Sequence, residues 1–277
     1  MRKIKIPKSE LKALYYKKRK SLREIGKMYD CSFSTVANRI RDYGLPLKSP
    51  AEARIRYSRK KFSGNSEERA YMIGFRIGDL NVYKPSVRSE TVVVRTHTTK
   101  RDQVRVMEEL FSKYGHTRIS ISAQGNRFHV NCYLDNSFEF LMPKYLKVPI
   151  WIRQNKKCFL AFAAGYIDAE GSFGINQGKA RFKVDSYDRG ILEDMHEWFS
   201  HNGVASKFWR IAKKGQSRGG DITFNDDLWR MNVNTASDIQ NFINLVGPFM
   251  LHHKRICDMK KAHQNIKERS LRGSIVL

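Results

Sequence analysis

Residues 71–80 read YMIGFRIGDL and residues 161–173 read AFAAGYIDAEGSF, and the relation between these two stretches decides the fold. In each, a glycine is followed five residues later by an acid, Gly74 by Asp79 and Gly165 by Glu170, at the end of a mostly apolar run of helical length. Small residues recur every four positions, at Gly74 and Gly78 in the first copy and at Ala161, Gly165 and Ala169 in the second. On a helix that spacing makes one strip poor in side chains, so two such helices are predicted to press backbone to backbone with Asp79 and Glu170 side by side. A carboxylate at a helix C-terminus faces the negative end of the dipole, and here it would also face a second carboxylate. A divalent cation between the two acids removes both objections.

These stretches resemble the two motif copies of the LAGLIDADG homing endonucleases in their single-chain form, over roughly residues 66 to 265. The second copy is the closer match. In the first, Arg76 and Ile77 replace apolar and acidic letters, and Leu80 stands where the family usually has glycine. The resemblance implies an α+β fold, a duplicated αββαββα unit with pseudo-twofold symmetry and antiparallel DNA-binding sheets. It implies a monomeric, site-specific double-strand DNA endonuclease in which Asp79 and Glu170 hold Mg²⁺ (or Mn²⁺) at the scissile phosphates, one acid serving each strand. The backbone carbonyls of Gly78 and Ala169 are further ligand candidates. Such a metal makes hydroxide available near neutral pH and stabilises the leaving 3′ oxygen. The family also keeps a basic residue near each scissile phosphate. Lys254, after Gly-Pro-Phe at 247–249, is the candidate in the second repeat, with His253 one register away; Lys147, after Pro143, is the candidate in the first. Two alternatives share the fold: a transcription regulator that binds DNA without cutting, and an RNA-binding intron maturase. Arg76 and Leu80 favour the regulator, while the acid retained in both copies opposes it.

Composition points to the same class of partner. The 277 residues hold 52 Lys and Arg against 27 Asp and Glu, a net +25, with 41% hydrophobic residues, which suits a folded protein that meets a polyanion. The N-terminus MRKIKIPKSE has no signal-peptide pattern and no run of 18 apolar residues occurs, so an intracellular setting away from membranes is expected. Cys31, Cys132, Cys158 and Cys257 form no CxxC pair and are expected as reduced thiols. His253 and Cys257 lie one helical turn apart, near His252 and His263, but a solvated basic helix face accounts for them more simply than a zinc site.

The charge is unevenly placed: residues 1–62 carry 19 Lys and Arg against 5 Asp and Glu, a net +14 of the total. Residues 1–46 read as a small all-α helix-turn-helix domain. Leu11, Leu14 and Tyr15 mark a first helix; Ser21 with Glu24 forms a capping box for a second with Leu22, Ile25 and Met28 inward; Ser32 caps a third carrying Val36, Ile40 and Tyr43. Ser34, Thr35, Asn38, Arg39 and Arg41 on the third helix are of the types that contact base edges and phosphates. Residues 47–65 read as a basic linker whose Arg59, Lys60 and Lys61 could lie along phosphates.

Residues 66–155 and 156–277 then repeat one order of elements. Strands are predicted at Thr91 to Thr98, Arg118 to Ser122 and Arg127 to Tyr133 in the first, with helices at Lys100 to Tyr114 and Ser137 to Leu146. The second has strands at Ser172 to Asn176, Ala180 to Asp185, Lys207 to Ala212 and Leu228 to Asn234, with helices at Arg189 to His201 and Ser237 to Val246. Alternation puts Phe182 and Val184 inward and Arg181 and Lys183 outward, with Arg230, Asn232 and Asn234 likewise outward. Arg95, His97, Arg118, Arg127 and Arg210 complete the expected DNA-contacting set. A strand of about ten residues matches about ten base pairs in length, so two halves would read on the order of twenty.

Overall fold

Two hydrophobic cores form in the computed structural model, which describes residues 5–275 except 54, 56, 220 and 221. The smaller gathers Ile6, Leu11, Leu14, Tyr15, Ile25, Val36 and Ile40. It is built by α1 (Lys8–Lys12), which runs into a π-helical turn at Ala13–Lys17, and by α2 (Leu22–Met28) and α3 (Phe33–Asp42). Ser21 and Glu24 cap α2 reciprocally, the Ser21 N–H donating to the carboxylate at 2.7 Å and the Glu24 N–H to Ser21 Oγ at 3.2 Å. Ser32 Oγ accepts from the Thr35 N–H at 3.1 Å and so starts α3. Met28, expected inward, is 54% exposed. The inward position is taken by Gly26, where a side chain would meet the carbonyl oxygen of Cys31 at 2.5 Å as the chain turns toward α3.

The stretch expected to be a plain linker contains a short helix, α4 (Pro50–Ala53), and is then fastened to the larger core. Tyr57 stacks on His116 with ring centres 3.7 Å apart. Arg59 Nη1 donates to the carbonyls of Glu90 at 2.8 Å and Leu134 at 3.2 Å and to Thr91 Oγ1. The Lys60 N–H donates to the Tyr114 carbonyl at 2.7 Å, and Phe62 packs edge-on against Phe138 and Phe140.

At the centre of the larger core lie α5 (Ser66–Asp79) and, following the single turn α7 (Ile150–Arg153), α8 (Lys156–Glu170). Asn65 and Asn155 cap them through the N–H groups of Glu68 and Cys158. Residues 158–169 are all buried, so α8 is enclosed on every side. The close approach is reciprocal: a Cβ at Gly74 would collide with the Phe162 carbonyl, and one at Gly165 with the Tyr71 carbonyl. Both pairs are related by the same 91-residue offset as Asp79 and Glu170. This is a pseudo-twofold axis written in residue numbers.

Each central helix feeds a four-stranded antiparallel sheet. The first, in spatial order, is β1 (Asn81–Tyr83), β2 (Thr91–Thr98), β4 (Phe128–Asp135) and β3 (His116–Ile121). The second is β5 (Gly171–Asn176), β6 (Lys179–Ser186), β10 (Leu228–Val233) and β7 (Lys207–Ala212), the same order. Helices α6 (Arg101–Phe111), α9 (Arg189–His201) and α10 (Ala236–Val246) cover the inner faces, and α11 (His253–Leu271) packs beside β5 and β6. Two departures from symmetry stand out. The helix expected at Ser137 to Leu146 is only a 3-10 turn, Asn136–Leu141, because Pro143 has no N–H with which to continue it. Between β7 and β10 the second repeat adds a small two-stranded ribbon, β8 (Ser217–Gly219) and β9 (Ile222–Thr223).

Candidate active site and nucleic-acid interface

The C-terminal ends of α5 and α8 open into one concavity, lined by Asp79 and Glu170 together with Thr96, His97, Lys100, Gln103, Arg127, Ala169 and Arg255. Asp79 Oδ2 accepts from Gln103 Nε2 at 2.8 Å, and the Asp79 carbonyl accepts from Thr96 Oγ1 at 3.3 Å, so the first acid is held by α6 and β2. Glu170 lies over Gly78, where an added Cβ would be 3.0 Å from its Cγ. Neither acid forms an ion pair among the described residues. Burial, then the charge of Asp79, pushes Glu170 up to about 7, and burial also raises Asp79. Two carboxylates crowded together with no direct ion pair, in an open polar hollow, fit a hard divalent cation with oxygen ligands. The Ala169 carbonyl borders this hollow and accepts from Arg255 Nη2 at 3.4 Å. Among the described residues no cluster of three or more His, Cys, Asp or Glu is placed to hold a metal, and Cys257 Sγ lies 3.9 Å from His253 Nδ1.

The basic groups at the acids are not those expected from sequence. Lys254 Nζ turns away to Asp258 at 2.6 Å, while Arg255 lines the concavity and lowers the pKa of both acids against the effect of burial. Lys147 lies beside Gly190, at the start of α9, where an added Cβ would be 3.0 Å from its Cγ. Lys100 is the lysine that lines the hollow from the first repeat. Lys144, 3.3 Å from Asp188, contributes at longer range to Glu170.

Arg255 is placed by a residue that sequence reading passed over. Asp168 is 1% exposed, and its Oδ2 accepts from the Leu251 N–H at 2.7 Å, the His252 N–H at 3.0 Å and the Tyr71 hydroxyl at 2.7 Å. It thereby sets where α11 begins and which of its consecutive basic residues faces the acids. Burial raises Asp168 to about 6, and burial with the nearby Arg255 lowers His252 to about 4. In the first repeat the equivalent of Asp168 is Ile77, and the neighbouring Arg76 does a related task with opposite polarity. Arg76 donates from Nε to the Leu141 carbonyl at 3.0 Å and from Nη1 to the Leu80 carbonyl at 2.6 Å. Arg76 is thus a buried brace that ties the end of α5 to the turn at Asn136–Leu141.

On the outer face of the first sheet, Asn81, Arg95, Asn131 and Arg118 form one row across four strands, with His97 opposite His129 in the next. Arg127 follows at the rim of the acid concavity. On the second sheet Ser172, Lys183, Asn232 and Lys207 form the matching row, and Arg181, Arg230 and Asn234 line the same groove. Arg230 is held by Asp185 through bonds of 2.5 and 2.6 Å, and Arg181 donates to the Asn234 carbonyl at 2.5 Å. Arg210 is a correction: it pairs in register with Trp229, on the face opposite to Arg230, and binds Asp227 at 2.8 Å. Arg59 is another, since its guanidinium is committed to oxygens at the ends of β2 and β4; Lys60 and Lys61 remain exposed. On α3, Ser34, Asn38 and Arg41 are exposed and Thr35 and Arg39 half-buried, with Arg41 Nη1 donating to Asn38 Oδ1 at 2.9 Å.

Residues 158–247 match the LAGLIDADG-like domain. No curated protein matches the chain. Among solved structures, the homing endonuclease I-DmoI in complex with DNA and Mn is 18% identical, covering 65% of this chain and 96% of that one with a TM-score of 0.44. Its complex with DNA and Ca is 16% identical, covering 66% and 89% with a TM-score of 0.45. Full-length DUF199/WhiA from Thermatoga maritima is 13% identical, covering 75% and 62% with a TM-score of 0.46. Residues 158–247 thus carry a LAGLIDADG-like domain, and the first repeat has the same strand order as the second.

Proposed function

We propose that the protein is a monomeric, site-specific double-strand DNA endonuclease that hydrolyses one phosphodiester on each strand. The observation that carries this reading is the pair Asp79 and Glu170: two unpaired carboxylates at adjoining helix ends, between two sheets with basic outer faces. A pure binder gains nothing from such a pair beside phosphates. Asp79, Glu170 and the Ala169 carbonyl would hold Mg²⁺ or Mn²⁺, which when bound supplies an activated water near neutral pH and offsets charge at the leaving 3′ oxygen. The chain's own groups do the rest. Gln103 orients Asp79; Arg255 and Lys100 offer positive charge at the hollow where a phosphate must sit; the sheet faces hold the duplex in register. The α3 residues Ser34, Thr35, Asn38, Arg39 and Arg41 add contacts from a helix-turn-helix arrangement.

A randomised plasmid pool incubated with the protein and Mg²⁺ tests this: the expected outcome is linear product with one recurrent sequence at the cut. The second reading, a DNA-binding regulator that does not cut, is favoured by the family match covering only the second motif. It predicts enrichment of one duplex sequence with no strand scission at any divalent metal concentration.

A further inference from the structure

Residues 57–60, which follow the N-terminal body, fasten the chain to the first repeat. Tyr57 stacks on His116, Arg59 bridges Glu90, Thr91 and Leu134, and the Lys60 N–H meets the Tyr114 carbonyl. Beyond this clasp, Arg19 and Lys48 of the N-terminal body share a cleft with Glu90 and Asp135 of the sheet. All of these contacts gather at the Thr91 end of β2 and the Asp135 end of β4, which pair with each other. The acid concavity lies at the other end of β2, at Thr96 to Thr98. Seven residue steps separate Thr91 from Thr98, about 23 Å of strand. A duplex lying along the first sheet, with its scissile phosphates at Asp79 and Glu170, therefore leaves that sheet next to the N-terminal body.

A second feature shows which surface that body offers. Phe33, the first residue of α3, is 54% exposed, as is Met28, and the Arg23 guanidinium lies 6.0 Å from the Phe33 ring. Next to them stand the exposed Ser34, Asn38 and Arg41. An exposed aromatic at a helix start, flanked by polar and cationic groups, matches what a major-groove edge displays, thymine methyls beside hydrogen-bonding base atoms and phosphates. Residues 1–53 also carry 14 Lys and Arg against 5 Asp and Glu.

Resting on the DNA reading above, we infer that the N-terminal helical body is clasped at the outer end of the first sheet and extends the DNA target on that side only, in the order α3, first sheet, second sheet along the duplex. The target is then one long asymmetric site whose blocks have fixed spacing, because Tyr57 and Arg59 hold the two reading bodies in one geometry.

The test is selection of a randomised duplex pool by the full chain with EDTA present, so that nothing is cut, repeated with three single variants. Asn38→Ala should relax the outermost block at one end, Arg118→Ala the block next to it, and Lys183→Ala the block at the opposite end. Five base pairs are then inserted between the first two blocks, turning α3 by half a helical turn around the duplex. The insertion should weaken binding by the full chain about tenfold or more. Binding by the Tyr57→Ala, Arg59→Ala double variant should weaken much less. Positions relaxed by Asn38→Ala on the Lys183 side, or none relaxed, overturns the arrangement, as does an insertion that the full chain tolerates. A pool from which no duplex is enriched overturns the DNA reading itself, so the two failures are distinguishable.

Discussion

The Tyr71 hydroxyl of one central helix donates to the Asp168 carboxylate of the other at 2.7 Å, and the same oxygen holds the two backbone N–H groups that precede α11. One buried acid therefore ties the two repeats together and sets the phase of the helix that delivers Arg255. Removing the side chain by Asp168→Ala leaves three buried donors without an acceptor and should cost about 3 kcal/mol or more. Asp168→Asn keeps an acceptor of the same shape and should cost less than about 1.5 kcal/mol. Urea denaturation of both variants checks the ranking; equal losses would mean that the acceptor role is wrong.

Asp79→Asn and Glu170→Gln should each abolish double-strand cleavage while leaving DNA affinity equal or higher, since each removes a negative charge beside phosphate. Cleavage and gel-shift assays on one duplex separate the two effects. Full cutting by either variant in Mg²⁺ would sink the role of that residue.

Arg255→Ala should slow cleavage by about 10- to 1,000-fold, the range for a lost positioned electrostatic group, with binding little changed. Lys254→Ala should cut at nearly the normal rate, because its ammonium is engaged by Asp258 outside the hollow. The reverse ranking would show that α11 begins one residue out of phase in solution.

Protons and metal should compete at Glu170. Its folded pKa, about 7, lies above the ordinary value of 4.5, so between those values the folded chain binds more protons than the unfolded one. The contribution of this group to stability is therefore greatest on the acid side and is lost as pH rises toward 7. Mg²⁺ should restore it, with thermal stabilisation larger at pH 8 than at pH 6 and apparent affinity falling by about tenfold per pH unit below pH 7. Calorimetric titration in two buffers of different ionisation heat reads the released proton directly. Binding without proton release at pH 6 would contradict this coupling.

Deleting residues 1–53 removes a net charge of +9 and the smaller core but spares the clasp residues Tyr57, Arg59 and Phe62. The remaining chain should unfold at nearly the same temperature as the full-length larger core, bind DNA more weakly, and show a shallower dependence of log affinity on log salt. An unchanged salt slope would mean that the N-terminal helices do not touch phosphate.

Much of this was legible from one dimension. Helix-period apolar runs, the four-residue spacing of small side chains and a repeated offset of 91 residues fix the central pair, and alternation in β6 and β10 assigns their basic faces, because these are properties of neighbours a few residues apart. Sequence reading also located Asp79 and Glu170, since helix ends that meet must bring their last residues together. It did not resolve Lys254 from Arg255, recognise Asp168 as an anchor, place Arg210 on the helix-facing side of its strand, or see Arg59 as a clasp. The last three depend on partners 17 to 97 residues away, such as Asp227 for Arg210, Leu134 for Arg59 and Tyr71 for Asp168. Local pattern determines which residues share a face, but only tertiary packing determines what a face meets. Where several basic side chains follow one another, as at 253–255, the one aimed at the carboxylates is set by a buried hydrogen bond to the backbone before them.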